Sequence, residues 1–144
     1  MRGMSLQPED GQARFREMRE MAESIFRNAL KESGIAEAFD RHLDYGRGVL
    51  RVADDLYNLD SYRRLLVISM GKGAHAMAHA LAAKMGTLAE GIVAGSTEQA
   101  AQVAGFRYFA GGHPAPNAES LRAAAAITRS LQALTADSLV LYLI

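Results

Sequence analysis

Residues 65–85, LLVISMGKGAHAMAHALAAKM, constrain the fold more than any other stretch of the chain. Leu65 to Ser69 form a continuous apolar run, the pattern of a strand buried on both faces of a parallel sheet. Gly71 and Gly73 follow at once, where the backbone must turn sharply and can approach a ligand closely. Ala74, Met77, Ala78, Leu81, Ala82 and Met85 then recur at helical spacing, and Gly86 closes the helix. The order is therefore buried strand, glycine turn, helix. Such a turn presents unpaired amides and the positive end of a helix dipole. Lys72 adds a full charge there, which we place at the first helical position, against the dipole; an anionic ligand would offset that conflict.

Two familiar glycine motifs fit this turn poorly. A phosphate loop needs a glycine five residues before Gly71, where Leu66 stands, and a hydroxyl where Gly73 stands. Gly71, Gly73 and Ala76 satisfy the dinucleotide pattern G-x-G-x-x-[GA]. That pattern also wants an acid at the end of the next strand. Ile92-Val93-Ala94 instead runs into Gly95-Ser96, and Glu90 precedes the strand.

The rest of the chain repeats the alternation. Phe15, Met18, Ala22, Ile25 and Ala29 mark one face of a long first helix, widened by Met21, Phe26 and Leu30, with charges covering the remainder and a stop at Ser33-Gly34. A shorter helix is expected over Ile35–Leu43, a short edge strand over Val49–Val52, and a turn at Asp54-Asp55. Thr97 to Ala104 reads as a weak helix and Phe106 to Phe109 as a strand. Gly111 to Pro116 forms a rigid loop, and Asn117 caps a helix striped by Leu121, Ala124, Ala125, Thr128, Leu131 and Leu134. Ser138 to Ile144 is another fully apolar strand. A buried parallel strand ordinarily feeds a crossover helix, so the sequence reads as the first part of a longer protein. The fold class is α/β: a three-layer α/β/α domain with a mostly parallel, Rossmann-like sheet.

Composition narrows the functional classes. The 144 residues suit one domain and an ordinary core, with 49% hydrophobic and 22% charged residues. Sixteen basic residues balance sixteen acidic ones, so no field draws in nucleic acid or an anionic membrane. The absence of cysteine rules out disulfides and thiolate chemistry and accords with a cytoplasmic setting. The opening MRGMSLQPEDGQARF has no apolar signal core, and no run is long enough to span a bilayer.

Lys72 is the leading candidate for chemistry, with Gly71 and Gly73 shaping its turn. Ser96 lies in a second turn at a strand's carboxyl end, where open α/β sheets hold ligands. Gly112 and His113 lie in a third, with His113 held between glycines and prolines, either to contact a ligand or to bond a neighbouring loop. The three turns should open on one edge of the sheet. His75 and His79 lie four apart, but no third ligand or H-E-x-x-H glutamate accompanies them, so they read as helix-surface histidines and not a metal site.

LLVISMGKGAHAMAHAL, FAGGHPAPNAESL and SLVLYLI, in that order and separation, together resemble the glycerate kinases that form 2-phosphoglycerate, a family also labelled hydroxypyruvate reductase. The likeness runs from Phe15 onward and covers only the opening part of such a two-domain enzyme. This chain departs in having Met70 and Gly73 where small residues usually flank Gly-Lys, and in a short segment between Gly95 and Phe106. The resemblance implies ATP-dependent phosphorylation of D-glycerate with Mg2+, and a catalytic role for Lys72 in neutralising substrate or phosphoryl charge. Two alternatives stay open: an NAD(P)-dependent hydroxypyruvate reductase, and a non-catalytic binding or dimerisation domain. A homodimer is compatible with each.

Overall fold

A computed structural model describes residues 8–86, 90–98 and 101–144. Its elements are α1 (Pro8–Glu32), α2 (Ile35–His42), β1 (Leu43–Gly46), β2 (Val49–Val52), β3 (Asp55–Asn58), β4 (Arg64–Met70), α3 (Ala74–Met85), β5 (Glu90–Gly95), β6 (Phe106–Ala110), α4 (Ala118–Gln132) and β7 (Ser138–Leu143).

β4 is the axis of the fold. The four-stranded sheet has the order β6-β5-β4-β7, and every pairing is parallel, with Ile68 opposite both Ile92 and Tyr142. Leu66, Val67, Ile68 and Ser69 are at most 2% exposed, which is why this segment carries no hydrophobic alternation. α3 covers one face, where Leu81 and Met85 pack with Val67, Leu141 and Leu143. α4 covers the other over β5 and β6, and there Arg107 donates to Ser130 Oγ at 3.2 Å. At the outer ends of β4 and β5, Arg64 Nε meets Glu90 Oε1 at 2.5 Å. Glu90 is thus committed at the strand's start, far from the turns.

A second, antiparallel sheet of order β1-β2-β3 replaces the single edge strand expected over Val49–Val52. The β1–β2 turn has positive φ at Arg47 (52°) and Gly48 (78°), the form that suits a two-residue hairpin. The β2–β3 turn lies at Ala53-Asp54, with Ala53 at φ 50°, one residue before the expected Asp54-Asp55. LDYG and DLYN are poor in strand formers, and the hairpin geometry with burial of Leu50 and Leu43 imposes the strand state. These two leucines join Val67, Leu81 and Met85 in one core.

Three further differences from the sequence reading have physical causes. Thr97, Glu98 and residues 101–104 are irregular, not helical; Gln99 and Ala100 lie outside the described residues. α4 is rotated from its expected face: Ala123, Ala126 and Ser130 are buried while Leu121 is 72% exposed. Small residues let the helix backbone approach the sheet closely, and that outweighs the larger side chains. Finally, the stripe of α1 is uncovered, with Phe15, Met18, Met21, Ile25, Phe26 and Leu30 between 56% and 78% exposed. An apolar stripe of this extent is unusual on an isolated domain.

Candidate functional site

Parallel strands deliver their carboxyl-end loops to one side of a sheet. The turns after β4, β5 and β6 accordingly meet around a cavity of about 450 Å³. Backbone bonds lace them together: Gly71 N–H donates to Ala94 O at 3.1 Å, and Gly111 N–H donates to Gly95 O at 2.7 Å. Beneath the first turn, buried Ser69 Oγ donates to Ala74 O at 2.8 Å, tying the end of β4 to the start of α3.

Gly71, Lys72, Ser96, Gly112 and His113 all line this cavity, together with Met70, Ala94 and Gly95. Gly71 has φ 100°, which only glycine adopts without strain. α3 begins at Ala74 with Gly73 as its cap, so Lys72 lies in the turn before the helix and not at its first position. The expected conflict with the helix dipole is correspondingly weaker. Lys72 is exposed and forms no ion pair among the described residues. Gly73 does not line the cavity; a Cβ there would come 3.3 Å from Ile35 Cδ1 of α2. The cap of α3 has no side-chain bond and the first turn of the helix has no acid, while Ala74 N–H donates to Gly71 O at 3.2 Å.

The third turn is built by α4. Asn117 Oδ1 accepts from Ser120 N at 2.9 Å, while Ser120 Oγ accepts from Asn117 N at 3.2 Å and Gly112 N at 3.0 Å. A Cβ on Gly112 would run into Ala115 O and Asn117 N, so glycine is required by the loop's own closure. His113 is exposed at the rim and precedes a cis Pro114. Ser120, Ala123, Ala124 and Ile127 complete the wall. Sequence reasoning missed them; the Asn117-x-x-Ser120 spacing was the available signal, since it matches a reciprocal cap.

His75 and His79 are not merely surface residues. His75 Nε2 lies 3.0 Å from Thr97 O, and His79 Nε2 lies 3.2 Å from Ala101 O. Among the described residues no group of three or more His, Asp or Glu is arranged to hold a metal ion. No described helix is long and apolar enough to cross a membrane.

Among the described residues the cavity lining offers one full cation, no carboxylate, hydroxyls from Ser96 and Ser120, and an apolar wall along α4. That combination suits a small anionic ligand with a less polar portion. The fold defines a parallel α/β domain with a cavity at the carboxyl edge of its sheet. Within that class, the chain belongs to the family described as a domain of unknown function, DUF4147, which matches residues 21–144. Among curated proteins none matches the chain. In structure it is similar to the PH0495 protein from Pyrococcus horikoshii OT3, with a TM-score of 0.75 and 19% sequence identity. The similarity covers 100% of this chain and 30% of that one. At that identity the likeness establishes the fold alone.

Proposed function

We propose that the complete enzyme phosphorylates D-glycerate at its 2-hydroxyl with ATP, giving 2-phosphoglycerate, and that this chain is the N-terminal part supplying one wall of the active site. The carrying observation is Lys72, which among the described residues is the one full cation lining the cavity at the carboxyl edge of the sheet, with no carboxylate beside it. DUF4147 membership and the family resemblance of the Gly-Lys turn, Gly-His-Pro loop and following strand support the same reading. ATP supplies the phosphoryl group. Mg2+ would enter with the nucleotide's phosphates.

In this reading Lys72 neutralises charge on the substrate carboxylate or on the phosphoryl oxygens in flight. Phosphoryl transfer depends mainly on positioning and charge stabilisation, and a lysine in the turn before α3 supplies the charge. In the same reading Gly71 and Gly112 let the backbone approach the ligand, and Ser96 and His113, which line the cavity, donate to it. A reductase reading is disfavoured because β5 ends in Gly95-Ser96 while Glu90 is paired with Arg64 at its opposite end. The deciding experiment supplies ATP, Mg2+ and D-glycerate to the complete enzyme and follows 2-phosphoglycerate by phosphorus NMR, with ATP and NADH titrations alongside. Binding of NADH but not ATP, with no phosphorylated product, overturns the proposal.

One observation favours a second role in assembly: the exposed α1 stripe. Sedimentation velocity on the complete enzyme and on Ile25→Glu tests it; a monomer unaffected by the charge removes that role.

A further inference from the structure

His75 and His79 project from successive turns of α3 onto the two described ends of the β5–β6 connection. Thr97, whose carbonyl meets His75, is where the chain leaves β5; Ala101, whose carbonyl meets His79, is where it returns. A carbonyl can only accept, so each Nε2 must carry the proton. His75 Nδ1 is buried with no hydrogen-bond partner, so a second N–H there would be left unsatisfied. The ring stacks on Tyr108 of β6 at 5.4 Å between centroids and 17° between planes. Tyr108 Oη in turn accepts from Val103 N at 2.8 Å, holding the same connection from its far side.

Gly95 completes the arrangement. A Cβ there would lie 2.5 Å from His75 Nε2 and 2.8 Å from Cδ2. The absent side chain at this position therefore makes room for an imidazole. Its neighbour Ser96 and its own backbone line the cavity opposite Lys72. Lys72 stands three residues before His75, so the turn that carries the cation leads directly into the helix whose first turn bonds the β5–β6 connection.

We propose that His75 and His79 are positioning residues: a two-point strap, seated on Tyr108 and Gly95, that fixes the Ser96 wall of the cavity relative to the Lys72 turn. The proposal rests on the proposed function only for what the cavity holds; the strap itself is a property of the protein without ligand. A neutral imidazole suits the task better than lysine or arginine. It donates one bond to a carbonyl while adding no second cation beside the site, and its flat ring fits between Tyr108 and a glycine.

Nitrogen-15 NMR of the histidine rings reads the tautomers directly. Both should be Nε2–H; an Nδ1–H tautomer at His75 overturns the strap. Amide exchange reads its mechanical effect. In His75→Asn, too short to reach Thr97, the amides of Val103 and Gly111 should exchange about five- to tenfold faster. Ile68 and Val67 in β4 should stay within about twofold. His75→Gln, whose amide nitrogen falls near the Nε2 position, should restore slow exchange, and Gly95→Ala should reproduce the asparagine result by displacing the ring. Unchanged loop exchange, equal acceleration at every amide, or a glutamine variant no better than asparagine would each overturn the proposal. Neither readout involves ligand, so failure of the strap and failure of the glycerate kinase reading are separate results.

Discussion

Gly111 N–H donates to Gly95 O at 2.7 Å, joining the loop after β6 to the loop after β5. With the Gly71 to Ala94 bond, it makes the three turns of the cavity one connected rim instead of three independent loops. Substitutions at the rim should therefore separate into those that change chemistry and those that loosen the frame.

Lys72 belongs to the first group. In the complete enzyme, Lys72→Ala should lower turnover by at least about a hundredfold, the scale of losing one charge-stabilising donor. Its melting curve should be unchanged, because Lys72 is exposed, unpaired and outside α3. Lys72→Arg should recover little, since a longer planar group places its charge elsewhere. Near-normal turnover in the alanine variant would show that the Gly-Lys turn only shapes the loop.

Under the proposed function, in which this chain supplies one wall of the active site, the 144 residues by themselves should show no glycerate kinase activity. Steady turnover by this chain, purified free of contaminating kinase and abolished by Lys72→Ala, would sink that reading.

Gly71 and Ser120 belong to the frame. Gly71→Ala meets open space but must hold φ near 100°, so it should destabilise by roughly 1–2 kcal/mol through backbone strain alone. Ser120→Ala removes the acceptor for both Gly112 N and Asn117 N and should cost about 0.5–2 kcal/mol. Urea denaturation measures both, and an unchanged midpoint in either contradicts the geometry.

The rotation of α4 makes an opposite pair of predictions. Ala126→Leu inserts bulk at a position 2% exposed and should destabilise by about 1–3 kcal/mol. Leu121→Ser, at a position 72% exposed, should change stability by no more than about 0.5 kcal/mol. Reversed results would restore the face expected from the large apolar residues.

What the sequence determined by itself was the α/β order and the central unit. Leu65 to Ser69 cannot be satisfied except by burial on both sides, and glycines followed by a 3.6-residue apolar period leave few alternatives to a turn and a helix. Lys72, Ser96 and His113 could be singled out because each follows a strand whose direction was already implied. Tertiary structure decided what depends on partners distant in the chain. β1 and β3 exist because Leu50 and Leu43 find the α3 core, not because LDYG or DLYN favour strands. α4 turns its small face inward because close approach to β5 and β6 gains more contact than burying Leu121 would. Gly95 is free of a side chain because a histidine twenty positions earlier lies over it, a requirement no local pattern contains. Periodicity reports which residues need an apolar environment; only the packed fold sets how close two backbones come, and therefore which side chains fit between them.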